Sequence, residues 1–407
     1  MKVLVVGSGG REHALAWKLS QSPRLESLHA APGNPGIARL GECHPVRAED
    51  GEGLLALCRE LGIDLVVVGP EAPLVGGLAD MLRHAGVAVF GPSRAAARIE
   101  GSKSFAKEVL EAAGVSTAAR LPVARPPCVV KADGLAAGKG VFVCRTQDEL
   151  DRGLRAATAL GEELMIEELL EGEEVSLFVL TDGYEATPLA PAQDFKRVGD
   201  GDTGPNTGGM GSYSPVPGLG DSEIDELVDT VHRPVIAELA RRGTPFAGLL
   251  YAGLMLTDSG PRVLEFNCRF GDPETQSILP RLEGDLLEAL AAAAAGSLHG
   301  GLAAADSAAV TVVLAGGHYP EQGDRGTPIE GVDDAEAGGA LVFHAGTARH
   351  GGKLVTNGGR ILNVTAVGAD LVEARTAAYE AVDKISFDGM RARRDIGLAA
   401  AEGHVRN

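Results

Sequence analysis

The first hundred residues alternate short β-branched runs with helical ones, and that rhythm limits the folds open to the chain. KVLVVG (residues 2–7) is bounded by glycines, and REHALAWKLSQS after it carries apolar residues at helical spacing. DLVVVGPE reads as a buried strand, and VAVFGPS as another after the helical stretch VGGLADMLRHAG. Strands alternating with helices pair in parallel, because each crossover returns the chain to the same end of the sheet. The expectation is a doubly wound parallel sheet within residues 1–100, with a boundary near Gly91–Pro92.

The remaining length requires further cores, since 407 residues exceed what one domain fills. GSKSFAKEVLEAAG predicts a helix from Ser102 to Gly114. CVVKADG and GVFVCR predict an antiparallel hairpin around a glycine-rich tip, followed by a helix over 147–160. LMIEELLEGEEVSLFVL reads as two strands around an acidic turn. Residues 194–218, DFKRVGDGDTGPNTGGMGSYSPVPG, are glycine-rich without apolar periodicity and read as one long functional loop. A helix over 222–242 precedes strands at 248–257 and 261–268. AAVTVVLAGG, ALVFHAG and RILNVTAVG, with a helix near 370–386, make the carboxy-terminal region β-rich. The divisions are 1–100, 101–305 and 306–407, with a small lid subdomain at about 120–178.

Charge and cysteine content exclude several function classes. A net charge of −19 without any Lys/Arg-rich run argues against nucleic acid as a partner. Five cysteines with no CxxC spacing read as reduced core residues of a cytosolic protein. MKVLVVGSGG is too short in its apolar run for a signal peptide, and no run of about 18 apolar residues predicts a membrane span.

Four segments carry chemistry. VVGSGGREHA approaches the dinucleotide fingerprint G-x-G-x-x-G but has Glu12 at its third glycine position, and the second strand, SLHAAPGNPG, ends without the acid a nicotinamide ribose needs. Its turn still presents Gly9, Gly10 and Arg11 to a phosphorylated substrate at a helix start. KADGLAAGKG fails as a Walker A loop, because three residues separate Gly134 from Gly138 and Gly140 follows Lys139. Between two strands it reads instead as a phosphate flap, and Lys131 in the leading strand requires an anion.

In IEELLEGEEVS, residues 166–176, the strand-to-strand connection can present backbone groups to an adenine edge, with an acid shortly after for two ribose hydroxyls. In RVLEFNCRFGDPETQ, Glu265 and Asn267 share one strand face, with Leu264 and Phe266 assigned to the core side. A carboxylate and an amide oxygen side by side form a hard-oxygen pair for Mg²⁺. Arg269 is placed to receive a carboxylate or phosphate.

GGREHALAWKL, APGNPG, VGPEAPLV, EGSKSFAK, KADGLAAGKGV, QDFKRVGDGDTGPNTGGMGSYSP, EFNCRFGDPETQ, FHAGT and TNGGR, in that order along nearly the whole chain, resemble the glycinamide ribonucleotide synthetase family of the ATP-grasp superfamily. The resemblance implies an α/β, overall α+β, ATP-grasp architecture. Its parts are the amino-terminal parallel sheet, the ATP lid, a central ATP-grasp domain and a β-rich carboxy-terminal domain. It implies ATP-dependent joining of glycine to 5-phosphoribosylamine through glycyl phosphate, in a cytoplasmic monomer using Mg²⁺ or Mn²⁺.

By the same resemblance, Lys103 and Lys131 bind ATP phosphates, residues 134–140 (Gly134, Gly138, Lys139, Gly140) form the flap, and Glu167–Leu170 with Glu174 hold the nucleoside. Glu265 and Asn267 ligate the metal. Asp194, Lys196, Arg269 and Asp272 lie where glycine and phosphoribosylamine are expected, and Arg269 and Lys131 carry the catalytic assignments. The sequence departs from the family in a shorter approach to the KADG strand, LPVARPPCV, in a shortened 147–163, and in YAGLMLT, where many ATP-grasp enzymes carry a further acid.

Overall fold

The computed structural model describes residues 1–135, 140–160 and 163–403. Five parallel strands form the amino-terminal sheet in the order Glu42–Cys43, Ser27–Pro32, Lys2–Gly7, Leu65–Val68, Ala88–Phe90. The strand order reverses at Lys2–Gly7, so the ends of this strand and Leu65–Val68 open a crevice, the usual ligand position in such sheets. The turn at Gly7–Gly10 and the segment Gly69–Glu71 line it. The helix expected over residues 75–86 is two, Glu71–Gly76 and Leu78–His84, because Gly77 adopts a left-handed φ of 94° between them.

Ser102 and Gly114 cap the next helix, Lys103–Ala113, as the sequence predicts: Ser102 Oγ accepts from Phe105 N–H, and Gly114 takes φ 68°. The small subdomain is a three-stranded sheet, Val141–Cys144, Cys128–Ala132 and Leu164–Glu168, under the helix Gln147–Ala159. It has its own apolar core around Val130, Cys144 and Leu150. Glu173–Asp182, however, pairs with Ala247–Thr257 in the central sheet, so the anticipated lid limit near residue 178 falls inside a central strand.

The central sheet is antiparallel, ordered Ala186–Pro188, Glu173–Asp182, Ala247–Thr257, Gly260–Asn267. The expected helix over 222–242 divides at a π-turn, Val228–His232, just before Pro234, whose missing N–H interrupts the regular ladder. One continuous apolar core joins Val66 and Leu74 of the first sheet to Ile99, Phe105, Val263 and Phe266. The first two regions therefore pack as one body.

Residues 194–218 are not a single loop. Gln193–Asp194 and Gly211–Ser214 extend the carboxy-terminal sheet, followed in order by Ala308–Ala315, Arg360–Gly368 and Leu341–His344. Arg197–Gly199 and Thr203–Asn206 form a separate ribbon. The strand Gly211–Ser214 is buried although polar, because Ser212 donates to Pro273 O at 3.0 Å and Ser214 to Pro191 O at 2.7 Å. The helix Leu371–Val382 covers the carboxy-terminal sheet. None of the five cysteines forms a disulfide, and no helix among the described residues is long and apolar enough to cross a membrane.

Candidate active site

The strand Gly260–Asn267 carries the centre of the site. It pairs with Ala247–Thr257, but the register slips between Gly253↔Glu265 and Leu254↔Val263, leaving Leu264 as an extra residue in a bulge. Val263, not Leu264, therefore joins Phe266 in the core, a correction to simple strand alternation. The freed carbonyl of Leu264 accepts from Lys131 Nζ at 2.9 Å, which fastens the small subdomain to this strand.

Glu265 faces a ring of cations. Its Oε1 lies 3.9 Å from Lys196 Nζ. Burial opposes its ionisation, yet Lys196, Lys131, Lys103 and Arg269 together hold the carboxyl below its ordinary range. Asn267 stands two residues along. In the amide orientation that satisfies its neighbours, its nitrogen donates to Glu100 Oε1 at 3.1 Å, so its oxygen is not engaged with Glu100. A charged carboxylate oxygen beside an amide oxygen suits a hard divalent cation, so the donor set fits Mg²⁺.

The lysines reach this point from separate elements. Lys103 opens its helix, where its N–H donates to Asp133 Oδ1 at 2.5 Å and its Nζ to Gly134 O at 2.9 Å. Burial lowers its pKa against the pull of Glu265 and Asp133. Lys131 finds its anion in Glu167, at 2.6 Å. The same carboxylate holds Lys107 at 2.5 Å, and all three side chains are buried. The Glu167 side chain is thus an internal counter-ion to both lysines.

Glu168 accepts from Ala119 N–H at 2.8 Å and approaches Arg262 at 3.4 Å, bracing the link that runs through Leu170 from the small sheet to the central one. Gly140 closes the hairpin, its carbonyl accepting from Ala132 N–H at 2.8 Å. Gly138 and Lys139 lie outside the described residues.

Lys196 pairs with Glu174. Burial opposes the Lys196 charge, but Glu174 and Asp194 outweigh it and raise the pKa well above its usual value. Asp194 is moved the other way: burial pushes its carboxyl up, against Lys196, and Glu274 and Glu174 add to the rise. The structure therefore brings Asp194, Lys196, Glu174 and Glu265 into one electrostatic group.

Arg269 does not present an open fork. Glu71 lies 3.3 Å from its Nε, Glu100 lies 3.1 Å from its Nη2, and Phe270 O accepts from its Nη1 at 3.2 Å. It clamps the amino-terminal region to the central strand with its guanidinium paired on both sides. Asp272 pairs with Arg360 at 3.1 Å and accepts from Gln276 at 2.7 Å.

The amino-terminal turn differs most from expectation. Gly9 N–H donates to Glu12 Oε2 at 2.5 Å in a capping box, so that amide is already satisfied. Arg11 is buried, donating to Glu12 at 2.6 Å and to Phe270 O at 3.2 Å. A Cβ on Gly7 would stand 2.6 Å from the Glu12 chain, so this acid fills the space under the turn where a dinucleotide pyrophosphate would come. Gly9 and Arg11 here support the turn through these internal partners. The turn remains at the site: a Cβ on Gly9 would lie 3.5 Å from Asp272 Oδ2.

Lys107, Glu71 and Glu100 were not singled out by the sequence. Lys107 carries a usable signal, four residues after Lys103 on the same helix face. Glu71 and Glu100 carry none, since their partner Arg269 lies far along the chain.

Comparison with known proteins identifies the family. The family models of phosphoribosylglycinamide synthetase match in three parts: the N domain over residues 1–100, the ATP-grasp (A) domain over 101–275, and the C domain over 309–399. The chain is 53% identical to the phosphoribosylamine–glycine ligase of Streptomyces coelicolor, over 98% of this chain and 100% of the relative. It is 50% identical to that of Mycobacterium tuberculosis, with both chains covered in full. A crystal structure of the phosphoribosylamine–glycine ligase from Thermotoga maritima superposes with a TM-score of 0.84 at 34% identity, covering 97% of this chain and 100% of that one. The biotin carboxylase domain of 2-oxoglutarate carboxylase from Hydrogenobacter thermophilus shares the fold, with a TM-score of 0.70 at 17% identity over 96% of this chain and 91% of that one.

Proposed function

The chain belongs to the phosphoribosylglycinamide synthetase family, and from that membership we propose how its cleft works. The activity is ATP-dependent ligation of glycine to 5-phosphoribosylamine, giving glycinamide ribonucleotide in purine biosynthesis. The observation that carries the proposed site is the convergence of Lys103, Lys131, Lys196 and Arg269 on Glu265, beside Asn267. Cationic side chains brought from separate elements to one ionised carboxylate suit a polyphosphate carried in with a cation.

The proposed reaction has two displacements. A glycine carboxylate oxygen attacks the γ-phosphorus of ATP, and ADP leaves with the electron pair of the broken bridging bond. The amine of phosphoribosylamine then attacks the acyl carbon of glycyl phosphate. An N–C bond forms, the C–O bond to phosphate breaks, and the amine gives up a proton. Such chemistry depends on positioning and charge neutralisation more than on covalent help from the protein.

Lys103 and Lys131 neutralise phosphate oxygens, with Lys131 held in place by Glu167 and the Leu264 carbonyl. The segment Glu167–Leu170 presents backbone groups to the adenine, and Glu174 stands next for the ribose. Glu265 and Asn267 would hold Mg²⁺ or Mn²⁺, which when bound spreads the charge developing on the phosphates. Residues 134–140 exclude water, which would otherwise hydrolyse an acyl phosphate. Asp194, Lys196 and Asp272 orient the amino and carboxyl groups of the small substrates, and Arg269 fixes the strand between them. The enzyme is proposed to act as a cytoplasmic monomer.

Glycine labelled with ¹⁸O in its carboxylate tests the intermediate. The proposal requires one labelled oxygen in the released phosphate for each turnover. Phosphate free of label would exclude glycyl phosphate.

A further inference from the structure

The edge of the amino-terminal sheet holds a side-chain cluster remote from the chemistry above. The two-residue strand Glu42–Cys43 pairs with Ser27–Pro32 so that His29 faces Glu42. Glu42 and His44, two residues apart, project to one side of the extended chain, and His29 meets them across the pair. His29 Nδ1 lies 3.1 Å from His44 Nε2 and 3.9 Å from Glu42 Oε2. All three donor atoms fall within 4.8 Å of one another.

Ligands of a tetrahedral zinc at about 2.0–2.2 Å stand roughly 3.3–3.6 Å apart, close to this spacing. The other nitrogen of His29 lies 3.1 Å from Ser27 Oγ, the kind of outer hydrogen bond that orients a metal-binding imidazole. Cys43 points to the opposite side, its Sγ near Asn34 O at 3.8 Å, and is not a donor to this cluster.

We propose that His29, Glu42 and His44 bind one divalent transition-metal ion of the zinc type, with water completing the shell. Two imidazoles and a single carboxylate favour zinc, cobalt or nickel over magnesium. The ion clamps the ends of the connection spanning residues 33–41. That connection reaches both the glycine turn and the carboxy-terminal domain: Asn34 donates to Ser8 O at 2.9 Å and to His344 O at 2.8 Å, and Arg39 pairs with Glu336 at 2.8 Å. The site is therefore structural, stiffening a contact between the first and last domains.

The test uses the full chain, stripped with a chelator and held in excess Mg²⁺ to occupy the cleft. Co²⁺ is titrated by its visible absorbance, and Zn²⁺ by calorimetry and displacement of Co²⁺. One ion per chain is expected at micromolar affinity or better, with a four-coordinate cobalt spectrum and a higher melting temperature on Zn²⁺ addition. His44→Ala weakens binding more than about tenfold, and Glu42→Gln, at an exposed position that leaves folding intact, weakens it measurably. Glu265→Gln leaves it unchanged. No binding by the stripped chain, or equal affinity in the His44→Ala and Glu42→Gln variants, overturns the proposal.

Discussion

Lys131 Nζ stands 2.6 Å from Glu167 Oε2, and the other oxygen of that carboxylate holds Lys107 at 2.5 Å. This buried triad joins the small subdomain to the helix Lys103–Ala113, and it fixes the position of the Lys131 ammonium proposed to meet the phosphates. Replacing Glu167 by Gln leaves two ammonium groups around a neutral amide. Removing one partner of a buried ion pair costs about 3–5 kcal/mol. Denaturant unfolding should show a loss of that order, with a raised KM for ATP. Unchanged stability together with unchanged KM would refute the role.

The clamp on Arg269 yields a second prediction. Burial opposes ionisation of Glu71, but Arg269 and Arg11 hold its carboxyl below the usual range, so it is charged when the enzyme works. Glu71→Gln frees one side of the guanidinium. We expect kcat/KM for glycine and phosphoribosylamine to fall about tenfold, or about 1.4 kcal/mol, while KM for ATP moves little. Steady-state kinetics with each substrate varied in turn decide it.

Much of the fold was legible because its signals are local. Ser102 and Gly114 mark the ends of their helix, and the paired strands around KADGLAAGKG follow from β-branched runs. Glu265 and Asn267 share a face because strands have a two-residue period. The bulge at Leu264 was not legible, since it arises from pairing with Gly253 on another strand. The buried strand Gly211–Ser214 was hidden because serine hydroxyls, not apolar side chains, satisfy its interior. The capture of Gly9 by Glu12 has a local signal, an acid three residues after the cap. The clamps by Glu71 and Glu100 depend on domain packing that no short stretch encodes.

Gly10 sits where the first helix meets the third domain. A Cβ there would collide with the Asn363 amide and stand 2.7 Å from Gln276 Nε2, both in buried side chains. Gly10→Ala should destabilise by about 1–3 kcal/mol through overpacking and weaken turnover by shifting the turn beside Asp272. Thermal unfolding and the KM for phosphoribosylamine measure the two effects.

Acid stability offers an independent check on the carboxy-terminal domain. Arg393 is fully buried and pairs with Asp395 at 2.6 Å and Asp202 at 2.7 Å. Burial opposes the Asp395 charge, yet the Arg393 hydrogen bond and the Gly201 N–H pull its pKa down to about 2. A depressed carboxyl stabilises the fold above its unfolded pKa of about 3.9 and loses that contribution as pH falls through about 2. Allowing for solvent screening, the contribution is about 1 kcal/mol. Asp395→Asn should lower stability at neutral pH and flatten its decline between about pH 4 and pH 2. An unaltered slope in that window would contradict the pairing.

The most direct test of the central claim is a crystal structure of the chain with ADP, Mg²⁺ and glycine. The account predicts Mg²⁺ about 2.0–2.1 Å from a Glu265 carboxylate oxygen and from Asn267 Oδ1, bridging to the diphosphate, with Lys103 and Lys131 on its oxygens. A metal and diphosphate bound elsewhere, with Glu265 still facing only the surrounding lysines and Arg269, would contradict it.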